Sequence, residues 1–333
     1  MTEENKQSAR PSFKKWASLC IAFIFMAVSI VLYYGQQTFL AVGPLKEEVA
    51  VVIPRGAGLE QISSILKSEG VISDSLIFQL GARYSKRARN LKAGEFLFPA
   101  TVSMDEVLKI LEKGKTVSYS VTIPEGKTSF EIVDILRHDK DLSGEVLIIP
   151  KEGSLLPETY QFVRGDSRQS IVDRMQNALT ENMNELWGDR QEGLPLKSIE
   201  EALILASIVE KETGIASERP LVAGVFINRL NRKMRLQSDP TVSYGITMGQ
   251  APLGRSLSRK DLKAPTPYNT YTIDRLPPGP ITNVGRSALE AVTQPAKTKY
   301  LYFVADGTGG HSFAKNLKEH NKNVRMWRSI KMK

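Results

Sequence analysis

The 333-residue chain has one cysteine and three histidines. A lone thiol, Cys20, excludes a disulfide framework and any cysteine-ligated zinc site. His138, His311 and His320 fall in no HExxH spacing, so neither a metal nor a cofactor is expected. Blocks of one charge are also missing. The formal net charge is +9, yet the cations are scattered, with no run of five and no basic stripe interleaved with aromatics. Nucleic acid is therefore not an expected partner. A phosphate-cradling loop is absent too. Two Gly-Lys-Thr tripeptides begin at Gly114 and Gly126, but Lys109 and Val121 stand where such a loop needs its first glycine. What is present is ordinary globular material, 41% hydrophobic and 24% charged, enough for a large core and two soluble units.

One segment stands apart. Residues 16–34, WASLCIAFIFMAVSIVLYY, carry no charge and are long enough to cross a bilayer as a helix. Trp16 stands at one end, with Tyr33 and Tyr34 at the other, as interfacial aromatics do. Lys6, Arg10, Lys14 and Lys15 precede the segment, and only Lys46 follows closely. This bias predicts a cytoplasmic tail at residues 1–15 and everything after the span outside the cytoplasm. No small-residue cleavage site closes the run, so an uncleaved anchor is expected. Residues 35–46 read as a linker.

A pattern then occurs twice. VVIPRGAGLEQISSILKSEGVI (51–72) is echoed by VTIPEGKTSFEIVDILRHDKDL (121–142). Each copy has a β-branched strand ending in Ile-Pro, a charged residue, Gly, and a helix. Between them, Met104, Val107, Leu108 and Leu111 share one helical face, with Ser103 to cap it and Gly114 to end it. Residues 47–118 thus read as a small α+β unit, and residues 119–333 as a larger one. The larger unit contains long polar loops, RLQSDPTVSYG, APTPYNTYTI and RLPPGPITNVG, of the kind that line sites. KYLYFVADGTGGHSF reads as a hairpin turning at 306–310.

The helix LILASIVEKETG (203–214) poses the chemical question. Ser198 and Glu201 have capping-box spacing, and Gly214 is a natural stop. Ser217 is placed to cap the next helix, with Pro220 in its first turn. At 100° per residue Glu210 shares a face with Ile199, Leu203 and Ala206, whereas Glu212 lies opposite and reads as solvated. Burial and the negative end of the helix dipole both raise a carboxyl pKa, as a general acid requires. The pattern alone equally allows a glutamate paired with Arg219 or Arg229.

Four blocks settle on a family: ASIVEKETGIASERPLVAGVFINRL, MRLQSDPTVSYG, PYNTYTIDRLPPGPI and YLYFVADGTGGHSFAKNLKEHN. In this order they resemble the signature blocks of the membrane-bound endolytic murein transglycosylases, the MltG/YceG-like family. The likeness runs through residues 153–322. It implies an α+β protein with an N-terminal transmembrane helix, a LysM-like α+β module and a larger α+β catalytic domain. It also implies a lytic transglycosylase that cuts the bond between N-acetylmuramic acid and N-acetylglucosamine in nascent strands. Such cutting leaves 1,6-anhydro ends and terminates glycan elongation. The implied setting is the bacterial cytoplasmic membrane, with the catalytic domain periplasmic or extracytoplasmic. The implied partners are glycan strands, the bilayer through residues 16–34, and peptidoglycan synthases.

By motif match Glu210 takes the catalytic place and Glu158 the place of an acid after a proline. The resemblance further offers Gln237, Ser238, Asp239, Thr241, Tyr244, Asn269 and Tyr271 as sugar ligands. Ordinary turns at Asp239-Pro240 and Pro267-Tyr268-Asn269 are the competing reading. Two other functions remain open: a non-catalytic peptidoglycan-binding scaffold, and a muramidase-type hydrolase using Glu210 with Asp239 or Glu158 and a water.

Overall fold

The computed structural model describes residues 13–331. Lys6 and Arg10, and the side chains of Lys14 and Lys15, on which the orientation of the anchor rests, lie outside the described residues. The chain is a mixed α and β protein, its described strands forming three antiparallel pairs. It divides into two compact units. One runs to Ser118 and takes in Val163–Gly165; the other comprises Tyr119–Phe162 and the chain from Asp166.

The first unit opens with α1 (Phe13–Leu40), within which Cys20–Leu40 is long and apolar enough to cross a membrane. Then come β1 (Val49–Ile53), α2 (Leu59–Ser68), α3 (Ser75–Tyr84), β2 (Gly94–Phe98) and α4 (Met104–Lys113). β1 and β2 pair with Val49 opposite Phe98 and Ile53 opposite Gly94. Alternation turns Val51, Ile53, Phe96 and Phe98 into the core. There they meet Leu66, Phe78 and the α4 face Met104, Val107, Leu108 and Leu111. Ser103 and Glu106 close a full capping box on α4.

Residues 35–46 differ from the expected linker. The helix continues to Leu40, and the Phe39 ring packs against the core. Leu45 is buried, and its carbonyl accepts from Thr101 N–H at 2.8 Å. The apolar side chains of Phe39 and Leu45 are what tie this stretch down.

In the second unit β3 (Tyr119–Thr122) pairs antiparallel with β4 (Thr159–Phe162). These strands and α5 (Ser129–His138) share a core with the start of α6 (Arg168–Gly188). A second core joins α6, α7 (Ile199–Glu212), α8 (Arg219–Asn231) and α10 (Arg286–Thr293). α9 (Asp239–Thr247) follows a polar loop, and β5 (Tyr302–Ala305) with β6 (His311–Ala314) forms the expected hairpin before α11 (Leu317–Lys331). The two copies of the sequence repeat become β1–α2 and β3–α5. Each turns at a glycine of positive φ, Gly56 at 78° and Gly126 at 74°.

The ends of α7 and α8 depart from expectation. Ser198 Oγ accepts from Glu201 N–H, but the Glu201 carboxylate goes to Lys197 N–H and Arg275. Gly214 does not take a left-handed turn, because Thr213 leaves α7 in extended conformation. Ser217 does not cap α8; it lies in a 3-10 turn that runs directly into Arg219.

Candidate active site

α7 is buried over most of its surface, from Ala202 to Glu210. Its packing against α8 and α10 leaves Glu210 only 8% exposed. One turn earlier, Ser207 Oγ accepts from Ile281 N–H at 3.0 Å and so fixes the loop that leads into α10. That loop delivers Gly285, the N-cap of α10, whose N–H donates to Glu210 Oε2 at 3.0 Å. Arg219, the first residue of α8, donates from Nη2 to Glu210 Oε1 at 3.1 Å.

The same nitrogen donates to Glu125 Oε2 at 2.8 Å, and another guanidinium nitrogen bonds Ser287. Glu125 and Gly126 belong to the second copy of the Pro-x-Gly turn. A Cβ on Gly126 would lie 3.8 Å from Glu210 Cγ, so this turn lies over the acid. A Cβ on Gly285 would displace the Glu125 carboxylate, so that side chain packs against the bare glycine. Two segments distant in sequence, the 124–126 turn and the head of α10, thus meet at Glu210 together with the nearby head of α8.

The proton affinity of Glu210 is raised. Burial is the largest cause; the Gly285 N–H and the Arg219 charge oppose it, and the neighbouring Glu125 charge adds to it. Burial therefore outweighs the ion pair. The two alternatives left open by the sequence coexist, for Glu210 is paired with Arg219 and still binds its proton more tightly than a free glutamate.

Glu212 corrects the solvated-end expectation. It is partly buried, and Ser238 Oγ donates to its Oε1 at 2.5 Å. Its pKa is pushed up to about 7, first by burial and also by the Asp239 charge, against the Ser238 hydrogen bond and the charges of His311 and Arg229. Helix periodicity places Glu212 opposite Glu210 but cannot reveal that the 236–239 loop closes over that side.

An open pocket of about 510 Å³ is lined by Lys211, the residue after Glu210, while Glu210 itself is not among its walls. Thr128, Asp239, Pro240, Tyr244 and Ile281 also line it. Of the residues offered as sugar ligands, Asp239 and Tyr244 line it. Tyr271 Oη donates to Asp239 Oδ1 at 2.6 Å and borders a second hollow of about 400 Å³ with Arg259 and Lys263. Gln237 is exposed, in left-handed conformation at φ 50°.

Three of the others serve the loops instead. Ser238 and Thr241 are buried; Thr241 Oγ1 donates to Ser238 C=O at 2.6 Å and lies 2.8 Å from Thr270 Oγ1. Asn269 is fully buried. Its Nδ2 donates to the carbonyls of Asp261, Leu262 and Ala264, and its Oδ1 accepts from Tyr271 N–H. Loops rich in Ser, Thr and Asn look alike whether those side chains face a ligand or their own backbone.

Glu158 is not brought to this place. It is exposed beside β4, where its carbonyl accepts from Ile123 N–H. The acid that sequence reasoning missed is Glu152. Its Oε1 accepts from Ser129 N–H at 2.9 Å and from Asn283 Nδ2 at 3.1 Å, and burial raises its pKa. Burial first, and then the charge of nearby Glu152, raise the pKa of the Tyr244 phenol in the pocket wall. The signal was five residues from Pro157-Glu158, in a Lys-Glu-Gly turn that offered no periodicity. Among the described residues no cluster of three or more His, Cys, Asp or Glu is placed to hold a metal ion.

The profile of the YceG-like family matches residues 51–326. A protein of Bacillus subtilis named endolytic murein transglycosylase is 32% identical over 311 residues, which cover 83% of this chain and 84% of that one. A Streptococcus pneumoniae protein of the same name is 32% identical over 346 residues, covering 88% of this chain. The matched part is 61% of that longer relative. Among solved structures, the 2.6 Å crystal structure of a YceG-like protein from Listeria monocytogenes superposes with a TM-score of 0.50 at 34% identity. The superposition covers 83% of this chain and 99% of that one.

Proposed function

The chain belongs to the YceG-like family, and from that premise we infer that it is an endolytic murein transglycosylase whose acid is Glu210. The substrate is the glycan strand of peptidoglycan. The observation that carries the role of Glu210 is its buried, proton-retaining carboxyl, held at both oxygens by Arg219 and Gly285.

Glu210 donates its proton to the glycosidic oxygen as the bond to C1 of the muramic residue breaks. The muramic 6-hydroxyl then adds to C1, and its proton passes to the Glu210 carboxylate. The proton count closes, no water is consumed, and the strand ends in a 1,6-anhydro ring. An ordinary glycosidase needs a second carboxylate to activate water or to attack. Here the nucleophile is tethered within the substrate, so a single carboxyl suffices. The closed setting of Glu210, under the 124–126 turn, disfavours a competing water. Asp239 and Tyr244 contact the sugars along the pocket they line, and Tyr271 and Gln237 contact them beyond it.

The first unit serves as a module between anchor and catalytic domain, at residues 47–118, with the catalytic domain at 119–333. The succession β1–α2–α3–β2 around one antiparallel pair supports a LysM-like reading of its fold. α1 anchors the chain with its N-terminus in the cytoplasm and residues 35–333 outside. Cleavage beside the bilayer then falls on nascent strands and ends their elongation next to peptidoglycan synthases. Protease added to spheroplasts should digest the large domain; protection until lysis would reverse the topology. Mass analysis of the glycan products tests the chemistry: a fragment one water lighter than the hydrolytic product supports it, an ordinary reducing end points to a muramidase, and no product points to a scaffold.

A further inference from the structure

α3 carries an apolar stripe that none of the described residues covers. Leu76, Leu80 and Tyr84, spaced by four residues, are 63%, 54% and 93% exposed. On the other side of α3, Phe78 and Ala82 are fully buried. The helix therefore has two apolar faces, and among the described residues only one of them has a protein partner.

What lies beside the open face is the anchor. α1 packs against α3 at Gly81, where a Cβ would lie within 2.3–2.8 Å of the Phe39 ring, so only glycine permits the approach. Gly81 is about 100° around the helix from Leu80, which puts the stripe next to the α1 contact. A span ending near Tyr34 leaves Phe39 five residues further, about 8 Å along the helix. The headgroup layer on each side of a bilayer is about 5–8 Å deep. Since α1 is helical to Leu40 and Phe39 belongs to the core of the unit, no slack separates α3 from that layer.

The charge agrees. From Ser75 to Gly94 the chain has Arg83, Lys86, Arg87, Arg89 and Lys92 and no acid. Arg87 is committed to Asp105 and Glu112, whereas Arg83, Lys86 and Arg89 are exposed near Tyr84. Leucines with a tyrosine at the margin and cations alongside suit a surface that is apolar below and anionic above.

We propose that α3 docks on the outer surface of the bilayer, with Leu76, Leu80 and Tyr84 entering the interface and Arg83, Lys86 and Arg89 meeting anionic headgroups. This rests on the reading of α1 as a membrane anchor. It makes the bilayer contact a two-point one, which fixes the tilt of the first unit at the membrane instead of leaving it to swing on a single helix.

The test uses the full chain in lipid nanodiscs of phosphatidylethanolamine and phosphatidylglycerol, with Cys20→Ser as background. A polarity-sensitive fluorophore is placed in turn at Val28→Cys in α1, Leu80→Cys in α3, and Ala50→Cys. Ala50 is exposed, opposite Leu97, on the outward face of the β1–β2 pair. Spin-labelled lipid should quench most of the emission at positions 28 and 80 and spare position 50, with weaker quenching at 80 in neutral lipid. Quenching at 28 but not at 80 overturns the docking and leaves the anchor intact. No quenching at 28 overturns the anchor, and the docking with it. Equal quenching at 80 and 50, or shielding of 80 by soluble glycan strands in detergent without lipid, also overturns it.

Discussion

Arg219 and Glu210 form a buried ion pair at 3.1 Å, through a guanidinium nitrogen that Glu125 shares at 2.8 Å. One cation divided between the buried Glu210 and the exposed Glu125 does not fully offset the cost of burying Glu210. This explains how Glu210 keeps a raised proton affinity beside an arginine.

Replacing Arg219 should therefore move a rate profile. A general acid works protonated, so activity falls as pH rises through the pKa of Glu210. Arg219 lowers that pKa; without it the carboxyl holds its proton to higher pH. In Arg219→Gln the alkaline limb of the pH–rate profile should shift to higher pH. Stability should fall by about 3 kcal/mol or less, because Glu210 can take up a proton when its partner is lost. An unshifted limb would detach Arg219 from the acid.

Gly285→Ala tests the other oxygen. The added methyl must displace the Glu125 carboxylate or shift the Gly285 backbone, and the second of these breaks the N–H bond to Glu210. A hydrogen bond to a charged group is worth about 1.5–3 kcal/mol, so activity should drop roughly ten- to hundredfold. Circular dichroism should show that the fold is kept. Unchanged kcat would mean that the Gly285 N–H does not serve catalysis.

Glu212 predicts an effect on stability with pH. Its folded pKa of about 7 lies above the ordinary 4.5, so between these values the unfolded chain ionises first. Stability from this group is complete below about pH 4.5 and is lost as pH rises towards 7, by at most about 3 kcal/mol. Asp239, His311 and Arg229 are the charged groups that set the balance. Glu212→Gln removes the loss, so melting temperatures of variant and parent should move in the variant's favour from pH 5 to pH 8. This variant should also keep more activity than Glu210→Gln. A pH-independent difference in melting temperature would contradict the buried carboxyl.

Asn269→Ala should unfold more easily without changing the cleavage chemistry. Three loop carbonyls lose their donor, at about 1–3 kcal/mol for buried groups left unsatisfied. Denaturant titration should show a lower midpoint at constant m-value. An unaltered midpoint would return Asn269 to the candidate sugar ligands.

The sequence made local periodic features readable. The buried face of α4 and the 302–314 hairpin follow from short-range spacing. By contrast, α7 is buried nearly all round from Ala202 to Glu210, and Ile199 and Leu203 of the expected stripe are only half-buried. What spacing could not provide was the company each residue keeps. Glu125 sits 85 positions before Glu210 and Gly285 sits 75 after it, and only the fold sets them around one carboxyl. Glu212 shows the same limit, since an exposed helix end and one roofed by a distant loop have the same pattern. Polar loop residues were singled out for their chemistry, yet Ser238, Thr241 and Asn269 spend it on neighbouring backbone and side chains. Burial, rather than residue type, separates Asp239 and Tyr271 from them.

The central claim is that Glu210 alone moves the proton while the muramic 6-hydroxyl attacks. Mass spectrometry of fragments released from purified glycan strands by the full-length protein and by Glu210→Gln tests it most directly. The account predicts that the parent releases internal fragments one water lighter than hydrolysis would give, and that the folded variant releases none. Reducing-end fragments from the parent, or undiminished cleavage by Glu210→Gln, would contradict it.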